Sequence, residues 1–292
     1  MTVPPALAAA VGARLGSAVS GGRAVSGGDL NDAWRIELED GRAAFVKTAA
    51  DAPPGGYATE AAGLDWLREP DALPVPAVLA VADGRADEPR FLALEWIEAG
   101  RLDAAGEEEL GRGLAQLHAA GATCFGGPEP LRIGPIELPN GPSDSWPELY
   151  AEHRLRPLAR RAAECGALPD GTEALIERVC KRLPELAGPS EPPARLHGDL
   201  WSGNVLADSA GRPHLIDPAA YGGHREVDLA MLRLFGGPGE RCFAAYAEVA
   251  PLADGHGRRV SLWQLLPLLV HAVLFGGGYG ASVARIARGY AS

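Results

Sequence analysis

The run His197-Gly198-Asp199-Leu200-Trp201-Ser202-Gly203-Asn204, with Asp217 thirteen residues after Asn204, constrains this 292-residue chain more than any other stretch. Between Asn204 and Asp217, Val205 to Ala207 and His214 to Ile216 read as short strands around the polar turn Asp208-Ser209-Ala210-Gly211. A hairpin there sets Asn204 and Asp217 side by side at its open end. Two carboxylates and an amide converging on one loop are the set that phosphoryl transfer uses: one carboxylate accepts the acceptor's proton, and the amide and second carboxylate hold magnesium on the nucleotide phosphates. A polar loop over a buried histidine would use the same residue types, but not the whole string at this spacing.

A site of that kind demands a cation for the phosphates. The basic residues here are almost all arginine, and the only lysines are Lys47 and Lys181; asparagine is as scarce, at Asn31, Asn140 and Asn204. An arginine does not replace a compact ammonium, nor an aspartate a neutral amide. Lys47 follows Phe45-Val46 rather than a glycine, which excludes a Walker A loop and places the lysine on a strand. Such a lysine needs a glutamate on the next helix, and Glu60 lies thirteen residues on. Ser26-Gly27-Gly28-Asp29-Leu30-Asn31 is a candidate nucleotide-covering turn, in which the glycines let backbone amides approach phosphate. It does not match G-x-G-x-x-G, and a plain hairpin turn is the competing reading. Leu92 to Ile97 fits the linker that would bind adenine, with Glu95, Trp96 and Ile97 as its contacts; an ordinary buried strand competes.

The surrounding pattern divides at about residue 98. Residues 1–98 read as a leading helix (Val3 to Leu15), strands at Ala24 to Ser26, Ala33 to Leu38 and Ala43 to Thr48, a helix from Thr59 to Leu67, and two strands between Val75 and Ile97. Asp40-Gly41 and Asp83-Gly84 are the turn signals among them. Residues 99–292 read as helices at Glu107 to Ala119, Trp146 to Cys165, Gly171 to Leu183, Val227 to Leu234, Arg241 to Glu248 and Leu262 to Phe275, with the hairpin embedded among them. The expected fold is α+β: a small lobe with an antiparallel sheet and one key helix, then a larger, mainly helical lobe. A net charge of −11 argues against nucleic acid as a partner. Four cysteines without CxxC spacing argue against zinc or a disulfide scaffold. The first ten residues lack a signal peptide's basic start, and Leu262 to Phe275 is too short to span a membrane. The expectation is a cytoplasmic monomer without membrane contact. G-x-S-x-G, H-E-x-x-H and a Cys-His pairing are all missing.

LHGDLWSGNVL, then LIDPAAYGGHREVDLAM and LFGG, resembles the fructosamine kinase (ketosamine 3-kinase) family. SGGDLNDAW, FVK, EAAGLDWL, LGRGLAQLH, RIGPIELPN, SWPEL and LFGGGY extend the likeness over nearly the whole chain. The resemblance implies a protein-kinase-like two-lobed fold and ATP- and Mg2+-dependent phosphorylation of the 3-hydroxyl of ketosamines. These are Amadori products, sugars attached to free amines or glycated proteins, and phosphorylation destabilises the adduct and frees the amine. Carried over by position, Asp199 is the catalytic base, Asn204 and Asp217 are the magnesium ligands, and Lys47 with Glu60 is the phosphate-binding pair. Trp201, Tyr221 and His271 are candidate substrate contacts, Trp201 either stacking on the sugar or packing the loop. His197 fixes the catalytic loop by hydrogen bonds and Asp228 braces it from below.

The chain departs from the family pattern in three places. Asp217-Pro218-Ala219 replaces Asp-Phe-Gly, which implies an enzyme without an activation-loop gate. Asp29 stands in a glycine loop where some members carry a cysteine for redox-linked dimers. Gly222 replaces a second tyrosine and implies an altered sugar-site wall. Two rivals compete with the ketosamine reading: an aminoglycoside- or choline-directed phosphotransferase of the same fold, and a non-catalytic nucleotide-binding protein.

Overall fold

A computed structural model describes residues 2–25, 31–83 and 88–292; the expectations at Gly27, Gly28, Asp29 and Gly84 lie outside the described residues. Helix α1 (Pro5–Leu15) precedes β1 (Val19–Val25), β2 (Asp32–Leu38), β3 (Ala43–Thr48), α2 (Gly56–Arg68), β4 (Val78–Ala82) and β5 (Phe91–Glu95). The five strands form one antiparallel sheet in the order β1-β2-β3-β5-β4. Its period of two divides the side chains between two layers. Trp34, Ile36, Val46 and Phe91 pack with Leu7 and Val11 of α1, while Leu92 and Leu94 pack with Leu64 and Leu67 of α2, joined by Phe45. Lys47, two residues after Phe45, therefore points toward α2.

The remainder is mainly helical. It comprises α3 (Ala104–Ala119), β6 (Leu131–Ile133), β7 (Ile136–Leu138), α4 (Trp146–Leu149), α5 (Arg156–Glu164), α6 (Thr172–Leu186), β8 (Ala194–Leu196), β9 (Val205–Ala207), β10 (Pro213–Leu215), β11 (Tyr221–Gly223), α7 (Glu226–Leu232), α8 (Glu240–Val249), α9 (His256–Trp263), α10 (Leu265–Phe275) and α11 (Tyr279–Tyr290). The Asp103 side chain starts α3 by accepting from the Gly106 amide at 2.9 Å. Just before it, the Gly100 amide donates to the Ala207 carbonyl at 2.8 Å. A Cβ on Gly100 would stand 2.1 Å from the Asp208 carbonyl oxygen, so the connection between sheet and helices is pressed against the β9–β10 hairpin. Leu64, Leu92, Leu110, Leu114, Leu200 and Leu215 form one cluster reaching from the sheet to the helices beneath the catalytic string. At about 1.5–3 kcal/mol per buried leucine, this shared core favours a fixed relation between the two parts.

Two helices read as continuous from periodicity are interrupted, each at a proline. Pro157 has no amide for the His153 carbonyl, and the chain widens into a π turn over Tyr150–Leu155. The Arg154 guanidinium takes the freed carbonyl at 3.1 Å. Pro267 likewise cannot serve Trp263, and the expected Leu262 to Phe275 helix divides into α9 and α10 around Gln264. The Tyr150 hydroxyl sits in the break, 3.0 and 3.1 Å from the Leu262 and Trp263 carbonyls. No helix among the described residues is long and apolar enough to cross a membrane.

Candidate active site

The β9–β10 hairpin does what its sequence spacing requires. Val205 lies opposite Leu215, and the Ile216 amide donates to the Asn204 carbonyl at 3.1 Å, closing the pair at its open end. Asn204 and Asp217 thus emerge together. The Asn204 amide nitrogen donates to the Asp199 carbonyl at 2.8 Å and lies 3.2 Å from Asp199 Oδ2, which leaves Asn204 Oδ1 as its uncommitted acceptor. Asp217 adopts φ +52°, a left-handed conformation that aspartate tolerates better than most side chains. Its Oδ1 is 2.8 Å from Lys47 Nζ, and Glu60 Oε1 reaches the same ammonium at 2.6 Å from α2. Burial works against the charge on Lys47, but the two carboxylates outweigh it and hold the ammonium above its ordinary pKa. Burial pushes Glu60 up to about 7 against the pull of Lys47. Burial and the neighbouring charge of Asp217 push Asp199 up to about 7.

The string is held from below by buried groups. Asp228 on α7 accepts the His197 amide at 2.7 Å and the Gly198 amide at 2.9 Å. Charge-assisted bonds of this kind contribute about 1.5–3 kcal/mol each. His118 on α3 supports Asp228 at 3.3 Å and is itself 2.9 Å from the Tyr246 hydroxyl. His197 Nε2 is 2.9 Å from the Ile216 carbonyl, and His197 Nδ1 lies 3.3 Å from the Asp199 amide, so one imidazole spans both ends of the motif. Gly198 has φ +82°, and a Cβ there would stand 1.9 Å from the Ala219 carbonyl oxygen. His118 ends the segment LGRGLAQLH of the family likeness, but nothing local marks this role: it is one polar residue in an amphipathic helix, and its contact is 110 residues away.

Lys47, Glu60, Asp199, Asn204 and Asp217 open into one cavity of about 1320 Å³, and Asn31, Trp201, Tyr221 and His271 also line it. Asn31 is tied to α2 through the Tyr57 hydroxyl, at 2.9 Å. The Trp201 indole folds over Gly203, where a Cβ would come within 2.3 Å of the ring. Tyr221 presents its ring from a nearly buried position beneath the Arg154 guanidinium, 4.4 Å from the ring centroid. Gly222 is not a lining residue; a Cβ there would meet the Cys124 carbonyl oxygen at 2.0 Å. Glu95, Trp96 and Ile97 are not among the walls either. Glu95 ends β5, and Trp96 lies under Arg23 and Arg35, whose guanidinium carbons are 5.9 and 5.3 Å from its ring centroid. Phe235, Phe275 and Tyr279, which the residue-by-residue reading did not single out, line the cavity beside His271.

The family model described as fructosamine kinase matches residues 6–290. A Synechocystis protein named "probable ketoamine kinase" is 37% identical over 262 residues, covering 88% of this chain and 85% of its own. A rice protein named protein-ribulosamine 3-kinase, chloroplastic, is 32% identical over 278 residues, covering 93% and 79%. Among solved structures, a Thermobifida fusca protein described as a "putative fructosamine-3-kinase" superposes with a TM-score of 0.89 at 45% identity, covering 97% of both chains. An aminoglycoside phosphotransferase in complex with ADP and hygromycin B shares the protein-kinase-like fold, with a TM-score of 0.60 at 18% identity and coverage of 96% and 98%. On the family match and these relatives, this chain belongs to the fructosamine kinase family.

Proposed function

We propose that this ketosamine kinase transfers the γ-phosphoryl group of ATP to the 3-hydroxyl of a ketosamine, with Asp199 as the base. The observation that carries the reading is the single buried ammonium of Lys47 bridging Glu60 and Asp217 on the wall that also holds Asp199 and Asn204. In this reading Lys47, held by Glu60, binds nucleotide phosphate. Asp199 takes the hydroxyl proton as the new oxygen–phosphorus bond forms and the bond to ADP breaks. A carboxylate whose pKa sits near 7 is well matched to accept that proton at neutral pH. The oxygen donors fit magnesium: Asn204 spends its amide hydrogens on Asp199 and keeps Oδ1 free, and Asp217 offers a carboxylate beside it. Magnesium held by Asn204 and Asp217 would neutralise charge on the phosphates. Trp201, Tyr221 and His271 are proposed to contact the acceptor, and the glycine turn with Glu95 to Ile97, which stand along the sheet from Lys47 and outside the cavity wall, to contact the end of the nucleotide away from its phosphates. The 3-phosphorylated adduct is unstable and releases its amine, which makes the activity a deglycation repair. A cytoplasmic monomer is the proposed form.

Magnesium-dependent ADP release with ribulosamine, erythrulosamine, fructosamine, an aminoglycoside and choline, run beside Asp199→Asn, tests this. Selective turnover of a ketosamine is expected, with kcat reduced by about 10²–10⁴-fold in the variant and ATP binding retained. Turnover of only the aminoglycoside or choline overturns the substrate assignment, and near-normal turnover by Asp199→Asn overturns the base.

A further inference from the structure

One side of the cavity is a wall of rings. His271 on α10 lies at its centre, with the Phe235, Tyr279 and Phe275 centroids at 4.6, 5.1 and 5.4 Å. All four line the cavity together with Trp201 and Asp199. Trp201 and Phe275, 39% and 52% exposed, are two of only four exposed large hydrophobic side chains among the described residues. Both stand on this one cavity, where isolated surface apolar residues would be scattered. The corner between α10 and α11 that sets Phe275 and Tyr279 side by side turns through Gly276 and Gly277, each at φ +63°.

The charges around the wall have one sign to spare. Each described lysine or arginine lining the cavity is already paired with a carboxylate: Lys47 with Glu60 and Asp217, Arg132 with Glu137 at 2.6 Å, and Arg195 with Glu69 at 2.9 Å. Asp51 and Glu129 line the same cavity with no cationic partner within 4 Å among the described residues. His271 adds no positive charge. Its Nδ1 is 2.8 Å from the Pro267 carbonyl, so that nitrogen carries the proton and Nε2 is bare, and burial lowers its pKa.

We infer that the ring wall is the subsite for the carrier of the ketosamine, and that it selects carriers bearing a positively charged amine through cation–π contact with Phe235, Phe275 and Tyr279. The inference rests on the ketosamine reading above and adds what lies on the other side of the sugar. A cationic carrier meets ring faces in a cavity of surplus negative charge. A neutral alkyl carrier gains only apolar contact, and an anionic one finds no unpaired cation.

The test uses one ketosamine sugar on three carriers of equal length: 1,4-diaminobutane, butylamine and 4-aminobutyrate. The expected kcat/KM is highest for the diamine, about tenfold lower for butylamine, and lower again for aminobutyrate. In Phe275→Leu, and separately in Tyr279→Leu, apolar contact is kept but the ring face is lost, and the diamine-to-butylamine ratio falls toward one. Phe275 is half-exposed, so its replacement leaves the fold in place. Equal kcat/KM for the three carriers overturns the carrier subsite while the ketosamine reading stands. A wild-type preference unchanged in both leucine variants overturns the role of the rings. Absence of turnover with all three overturns both readings.

Discussion

Gly203 has no side chain because the Trp201 indole lies where one would go, 2.3 Å from an added Cβ. The atoms in the way belong to the far end of a side chain, so a methyl group at this position moves the ring rather than the backbone. Gly198 differs, because the obstacle there is the Ala219 carbonyl, at 1.9 Å, and the backbone is left-handed. The two glycines of one motif therefore fail in different ways. Gly203→Ala is expected to fold with an unchanged melting temperature and to raise KM for the ketosamine, with little change in KM for ATP. Gly198→Ala is expected to lose several kcal/mol of stability, as substitutions that strain a left-handed backbone against fixed neighbours do. Thermal melts and two-substrate kinetics on the pair check both; equal losses of stability would show that Trp201 is as fixed as the backbone.

Helix α2 carries Glu60, and its distance from the catalytic segment is set by Gly63. A Cβ there would lie 3.3 Å from the Ala220 Cβ and 3.7 Å from Pro218 Cγ. At the C-terminal end of the helix Arg195 stacks on Trp66 at 4.5 Å, bonds to the Trp66 carbonyl, and pairs with Glu69 at 2.9 Å. Gly63→Ala needs only a few tenths of an ångström and gains up to about 1 kcal/mol of helix propensity. Gly63→Leu must push the helix away, drawing Glu60 from Lys47, and a displacement near 1 Å costs on the order of 10²-fold in activity. ATP titration of the two variants checks this; a leucine variant with normal ATP affinity would show that α2 is free to slide. The sequence made Glu60 and Lys47 legible because a rare lysine on a strand asks for a helical carboxylate. It made the hairpin between Asn204 and Asp217 legible because every contact in it is local. Arg195 and Tyr150 were not legible in these roles, since each acts on a backbone group far along the chain and no local period records such a contact; Asp228 was placed beneath the loop by the family resemblance alone. The interrupted helices had their cause in plain view at Pro157 and Pro267, but hydrophobic periodicity runs through a proline without marking the carbonyl that it leaves free.

Across the whole molecule, two buried histidines are committed to the neutral form. His197 Nδ1 accepts the Asp199 amide and His224 Nδ1 accepts the Glu226 amide, each at 3.3 Å, so a proton on either nitrogen would replace an acceptor with a donor facing a donor. His224 is further enclosed by Trp263, stacked with a centroid separation of 5.5 Å, and by Trp146. Burial lowers both pKa values, against nearby carboxylates that oppose the shift. In the unfolded chain both histidines titrate near 6.5. Below that pH the unfolded state binds protons that the folded state refuses, so unfolding is favoured as pH falls, with a slope approaching about 1.4 kcal/mol per pH unit for each histidine. Asp228 acts at lower pH: hydrogen bonding to His118 and the loop amides outweighs burial and lowers its pKa, so its contribution is lost only as pH falls through that depressed value. Between pH 7.5 and 5.5 Glu60 and Asp199, both pushed up to about 7, take up protons in the folded state and so oppose the two histidines. Denaturant unfolding of the wild type and His224→Phe across that interval isolates His224, because the variant keeps an aromatic ring against Trp263 and removes one titrating group: its stability relative to the wild type is expected to rise as pH falls below 6.5, by up to about 1.4 kcal/mol per pH unit. A stability difference between the two proteins that does not change with pH would mean that the His224 imidazole is protonated as readily in the folded protein as in the unfolded chain and that the Glu226 amide has another partner.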